Sequence, residues 1–438
     1  MPGANGRGSP VVYFNARIVD PASGTDIKGA LVTEGGTIRD FGPALFKDAL
    51  PFDCERIDCG GKVLAPGLVD MRVQLREPGE EHKETIQTAA DAASAGGVTA
   101  MVCLPNTDPV IDDVSGVEFI ARRAREVRAT KVFCYAAATQ GLEGKELAEM
   151  GLLAEMGALG FTDGPRALGE AQVMRRALSY SRAFDALILQ HPEEPSLAKG
   201  GAMNEGETSM RLGLPGIPAL AETMMIERDL RLLELTGARL HIMHVSTAEG
   251  VEAIRRAKAS GLRVTCDTAP PYFTLTETDI GDYRTFCKIS PPLRTGRDRE
   301  AVIAGLADGT IDAIASDHAP QDQEAKRVPF AQAENGVVGL ETLLPLSLAL
   351  HYRHKMPLLD VLKKLTSAPA AILRLPLGRI AKGAPADLVL FDPDRPWIVD
   401  AKRFRSKSKN SPFDEMPVQG LVLRTVVAGR TLFEARTP

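Results

Sequence analysis

Short apolar runs separated by turn residues open the chain: VVYFNARIVD at 11–20, ALVTEGGTIRDFG at 30–42 and RIDCGGKVLAPG at 56–67. The paired glycines Gly35–Gly36 and Gly60–Gly61 sit where hairpin turns need residues that tolerate positive φ. The same texture returns near the far end in ADLVLFDPDRPWIVD (386–400) and GLVLRTVVAGRTLFE (420–434). Two β-rich ends around a long middle predict one small β-sandwich domain built from both termini, 11–64 with 378–438, behind a loose tail at 1–10.

The middle has a different rhythm. Short apolar runs such as TAMVCLP, KVFCYAA, ALGFTDG, DALILQH, RLHIMHVST, LRVTCDTAP and IDAIASDHAP alternate with stretches of helical period. Among the latter are ETIQTAADAASAGG, VEFIARRAREV, AETMMIERDLRLLELTG and AEGVEAIRRAKASG. Strand–helix alternation implies a parallel sheet, and about eight such units over 65–377 predict a closed (β/α)8 TIM-type barrel, an α/β fold. An open doubly wound sheet would carry a glycine-rich phosphate loop after its first strand. In AGGVTAMVCLPNT the glycines come before the strand, which argues against it.

Composition narrows the class further. Hydrophobic residues make up 44% and charged residues 25%, with a net charge of −5, so the chain is globular and offers no basic face for nucleic acid. No apolar run approaches the roughly 20 residues of a membrane span, and MPGANGRGSP has no signal-peptide core, so a cytoplasmic protein is expected. Cysteines 54, 59, 103, 134, 266 and 287 show no CxxC pairing and read as reduced. The polar, basic SKSKNSPFD at 406–414 reads as a solvated loop, with a partner contact as the alternative.

Four residues at strand ends could carry chemistry: Asp163, His191, His244 and Asp317. Barrel active sites lie at the mouth formed by the strand C-termini. Two imidazoles and two carboxylates meeting there would suit zinc or manganese. Singly, each has a plainer explanation: a strand-end histidine is often only hydrogen-bonded, and Asp163 or Asp317 could serve a turn.

Long blocks then make the resemblance specific. The segment APGLVDMRVQLREPGEEHKETIQTAADAASAGGVTAMVCLPNTDP is similar to the opening barrel segment of class I dihydroorotases. GGAMNEGETSMRLGLPGIPALAETMMIERD, RLHIMHVSTAEGVEAIRRAKASGLRVTCDTAP, SPPLRTGRDREAVIAGLADGTIDAIASDHAPQDQEAKRVPF and GVVGLETLLPL continue the likeness over 11–433. The resemblance implies an amidohydrolase barrel with a composite sheet domain, and an activity interconverting dihydroorotate and N-carbamoyl-aspartate in pyrimidine biosynthesis. It also implies metal-assisted hydrolysis with Asp317 moving the proton, and a homo-oligomer.

Carried over residue by residue, the family pattern is divided. Its first-strand Asp-x-His-x-His-Leu-Arg reads Asp70-Met71-Arg72-Val73-Gln74-Leu75-Arg76, so both metal-binding histidines are lost at Arg72 and Gln74. Asp163, His191 and His244 match the shared carboxylate and the second-metal histidines. Arg76 and Asn106 match the substrate contacts. Ser290, Pro271 and Gln321 stand where the family has asparagine, histidine and histidine. A guanidinium cannot ligate a metal. Arg72 is instead expected to enter the vacated position and form a bidentate pair with Asp317 or Asp163. The resemblance therefore points to the non-catalytic homologues that act as structural partners of aspartate carbamoyltransferase. One zinc on Asp163, His191 and His244, supporting a working cyclic amidohydrolase, is the alternative to a metal-free centre.

Overall fold

The computed structural model describes residues 10–46 and 54–435; apart from Pro10, the expected N-terminal tail lies outside them. The termini do combine, and their strands are hydrogen-bonded into one eight-stranded sheet. Its strands are β1 (Val11–Asp20), β2 (Thr25–Glu34), β3 (Thr37–Gly42), β4 (Glu55–Asp58) and β5 (Val63–Pro66), joined by β15 (Leu388–Ile398), β16 (Pro417–Val427) and β17 (Arg430–Glu434). The junction is the antiparallel pairing of β5 with β15, Leu64 opposite Leu390, which hydrogen-bonds the two ends of the chain directly to each other. One apolar cluster of the sheet gathers Tyr13, Ile18, Leu31, Leu64 and Leu388, all nearly inaccessible to solvent.

The barrel strands follow: β6 (Leu68–Val73), β7 (Val98–Cys103), β8 (Lys131–Cys134), β9 (Leu187–Gln190), β12 (Arg239–Ile242), β13 (Val264–Thr268) and β14 (Ala313–Ile314). A short side pair, β10 (Met203–Asn204) and β11 (Gly216–Ile217), lies between β9 and β12 in sequence. Strands β6–β8 and β9, β12–β14 form two parallel sheets. Phe161 bridges them on one flank, pairing with Ala136 and Ile188, and Val73 pairs with His318 on the other. Parallel pairing thus runs round eight segments. ALGFTDG contributes only the Phe161 pairings, because the chain turns away at Asp163 and Gly164.

The helices start and stop where their sequences say. Thr85 caps helix Ile86–Ala95 and Thr247 caps Ala248–Ala259, each accepting a backbone N–H three residues on. Helix Leu220–Thr236 ends at Gly237, whose φ of 64° suits the left-handed C-terminal position. Among the described residues no helix is long and apolar enough to cross a membrane, and no disulfide joins the cysteines.

Segment 406–411 differs most from its expectation. It is a buried strap, with serines facing inward and Lys407 outward. Ser406 Oγ donates to Glu84, and Ser408 Oγ donates to the Lys83 carbonyl at 2.7 Å. Asn410 Nδ2 donates to the carbonyls of Ala319 (3.1 Å) and Gly336 (3.0 Å). A Ser/Lys alternation reads as a solvated loop, but here the short hydroxyls satisfy buried backbone and carboxylate groups that would otherwise be costly.

Candidate active site

The barrel mouth is built on strand ends, and three of its side chains sit on strained backbone. Arg76, His244 and Asp317 have φ of 62°, 39° and 53°, where non-glycine residues are uncommon. Such a turn lets a strand-end side chain point into the mouth, at a cost the surrounding packing must offset.

Arg72 lies on β6 with its side chain only 3% exposed, and its Nη1 donates to Asp317 Oδ1 at 2.5 Å (Asp317 side chain 12% exposed). Of the two carboxylates expected to receive it, the guanidinium therefore meets Asp317. The contact is single rather than bidentate: only Nη1 reaches the carboxylate, and the buried Nε has no partner. Burial keeps the Asp317 carboxyl above the usual carboxylate range, and the charge of Arg72 offsets this only in part.

Asp163 is occupied elsewhere. Its Oδ1 accepts the backbone N–H groups of Ala138 (3.1 Å) and Thr139 (2.9 Å), and its Oδ2 accepts the Thr139 hydroxyl. Burial raises its pKa against those donors. His191 and His244 face each other, Nδ1 to Nε2 at 3.0 Å, so one ring donates and the other accepts. Burial, followed by the charge of Arg72, holds His244 well below its ordinary pKa, which makes it neutral. Its Nδ1 is buried without a partner.

A permanent cation occupies the strand-one position, and among the described residues no three His, Cys, Asp or Glu side chains are grouped to hold an ion. Gln74 Oε1 accepts from Asn106 Nδ2 at 3.1 Å, which engages both the replaced ligand position and an expected substrate contact. Arg76 is likewise engaged, donating to Glu80 at 2.8 Å and to the Pro320 carbonyl at 3.1 Å.

The three other departures from the family pattern have definite places. Ser290 Oγ donates to Glu193 at 3.1 Å and lies 3.4 Å from His191 Nε2. Pro271 lies in the first turn of the short helix Pro270–Thr274, where a proline costs no hydrogen bond. Gln321 Nε2 donates to the Asn335 carbonyl at 2.9 Å.

Two residues at the mouth were missed by sequence reasoning. Glu193 stands 3.5 Å from His191 Nε2; burial opposes its ionisation, but His191, Arg294 and Ser290 together keep its pKa lowered. Asp267 accepts the His244 backbone N–H at 2.5 Å and lies 3.0 Å from His241 Nε2. A carboxylate inside the apolar run LRVTCDTAP was the available signal, since buried charges are rarely unpaired.

Behind His191, Asp229 accepts from Gln190 Nε2 at 2.8 Å and from Arg228. Burial raises its carboxyl from 3.8 to about 6. A raised folded-state value means its stabilising contribution is complete below about 3.8 and is lost as pH rises through about 6. Urea unfolding of wild type and Asp229→Asn at several pH values checks this. The wild type is expected to lose stability relative to the variant between those two pH values, and a pH-independent difference would contradict it.

Comparison with known proteins agrees with this architecture. Residues 61–250 match a family described as dihydro-orotase-like, and residues 295–433 match the amidohydrolase family. A protein named dihydroorotase from Anaplasma phagocytophilum is 50% identical over 97% of this chain and 95% of its own length. One of the same name from Pelobacter propionicus is 45% identical over 96% and 98%. The chain belongs to the dihydroorotase family. Among solved structures, an L-hydantoinase (dihydropyrimidinase) from Arthrobacter aurescens superposes with a TM-score of 0.85 at 25% identity, covering 98% of this chain and 96% of its own. A dihydropyrimidinase from Brevibacillus agri gives a TM-score of 0.84 at 22% identity, covering 97% and 95%, and supports the fold alone. As a dihydroorotase-family chain, this protein matches 95% and 98% of those two relatives' lengths, and its strand-one motif carries Arg72 and Gln74.

Proposed function

We propose that this protein is a catalytically degenerate dihydroorotase homologue of pyrimidine biosynthesis that serves aspartate carbamoyltransferase as a structural partner. The observation that carries the reading is the buried Arg72–Asp317 pair. The aspartate that would move the reaction's proton is held in a salt bridge, and the cation holding it stands where the family places a metal ligand. Asp317 would have to give up this charge-assisted bond before it could exchange a proton with a bound reactant. Arg76 and Asn106, the residues for substrate recognition, are tied to Glu80 and Gln74.

The partner role rests on an intact scaffold around this altered centre. Tandem purification checks it: the tagged protein is expected to retain the transferase from the same cell, with transferase activity falling when the two are separated. Clean separation of both proteins, with the transferase fully active, would contradict it.

A second reading has its own support. The His191–His244 contact survives, and relatives at 45–50% identity carry the name dihydroorotase. On this reading a single zinc on Asp163, His191 and His244 would support hydrolysis of dihydroorotate or a related cyclic amide, with Asp317 as the proton carrier. It requires Asp163 to leave its three donors and Arg72 to release Asp317.

A further inference from the structure

Away from the barrel mouth, a groove of about 710 Å³ opens where the sheet meets the barrel. Its walls come from β15 and β16, the end of β17, the start of the helix Leu343–His354, and residues 400–405. None of the mouth residues discussed above lines it. A concavity of this size matches small-molecule sites, which run from roughly 300 to 1,000 Å³.

Three arginines and three carboxylates, Glu341, Asp400 and Glu434, line the groove, and they differ in how they are engaged. Arg395, Arg403 and Arg405 all line it, and none has a carboxylate within ion-pair distance among the described residues. Its acidic side chains, by contrast, are all engaged. Glu341 accepts the backbone N–H groups of Arg405 (2.7 Å) and Ser406 (3.1 Å), Asp400 accepts that of Lys402 (3.1 Å), and Glu434 pairs with Arg424. The walls also offer flat surfaces. The Trp397 indole is fixed by its N–H bond to the Gly420 carbonyl at 2.8 Å, and the Arg405 guanidinium lies 5.0 Å from the centre of the Phe433 ring. Free guanidiniums favour phosphate through paired N–H donors, while rings and a stacked arginine favour a planar π-system.

We propose that this groove is a second binding site, for a small anionic ligand carrying a flat aromatic ring, of the chemical class of the nucleoside phosphates. Arg395 and Arg403 take the phosphates, and Trp397 with the Arg405 guanidinium stacked on Phe433 takes the base. The reading is independent of whether the barrel mouth is active.

Calorimetric titration of the full-length protein with ATP, adenosine and tripolyphosphate tests it. ATP is expected to bind at one site per chain, more tightly than either fragment, and excess dihydroorotate is expected not to displace it. Arg403→Ala/Arg405→Ala removes two exposed guanidiniums and should weaken ATP about tenfold or more. Should that variant misfold, Arg395→Gln reads the same effect. The proposal is overturned by no ATP binding at millimolar concentration, by unchanged affinity in folded variants, by displacement with dihydroorotate, or by tripolyphosphate binding as tightly as ATP.

Discussion

Replacing Arg72 with methionine is expected to lower the unfolding free energy by about 3–5 kcal/mol, because it leaves a nearly buried aspartate without its countercharge. Arg72 and Asp317 have side chains 3% and 12% exposed, so solvent compensates little. Asp317→Asn should also destabilise, since Arg72 then keeps its charge with only a neutral acceptor. The double variant Arg72→Met/Asp317→Asn should regain part of the loss, since it removes both charges while asparagine tolerates the φ of 53°. Urea midpoints for the three variants make the comparison. If Arg72→Met unfolds at the wild-type midpoint, the guanidinium does not neutralise Asp317, and the structural basis of the proposed degeneracy fails.

Arg72→His/Gln74→His is expected to raise zinc content by about one ion per molecule over the wild type. Arg72 lies near the end of β6 and Gln74 directly follows that strand, two residues on. The substitutions put two imidazoles there and remove the cation holding Asp317, which gives three candidate ligands. They also free Asn106 from Gln74. Metal analysis of both proteins after identical chelator-free purification is the check. Equal zinc in the two would mean that Arg72 and Gln74 do not decide occupancy.

Much of the architecture was legible from pattern alone. Helix Leu220–Thr236 announces itself by its period and by Gly237, and the strand runs at 131–137, 185–191 and 239–247 each contain a paired strand. The single eight-stranded sheet was not legible, because the β5–β15 pairing joins segments more than 300 residues apart and leaves no local trace. The strap at 406–411 was misread because its serines look solvated until the buried Glu84 and the carbonyls they satisfy are known.

At the site, residue types pointed to an Arg72–carboxylate pair but did not choose between the two carboxylates. Asp163 is taken by the backbone of Ala138 and Thr139, and that geometry leaves Asp317 for the arginine. Nor did they indicate that the contact would be single, since this depends on how the side chain leaves β6. Glu193 escaped notice for a similar reason. Two residues beyond His191 it reads as surface charge, and only the turn of the chain brings it to 3.5 Å from the imidazole.

On the proposed reading, a buried arginine has taken the metal's place and ended the family's reaction. Steady-state hydrolysis of dihydroorotate by the purified wild-type protein in excess zinc, with Asp317→Asn alongside, tests it most directly. The account predicts that wild type and variant both stay at the uncatalysed background, whereas saturable wild-type turnover that Asp317→Asn abolishes would contradict it.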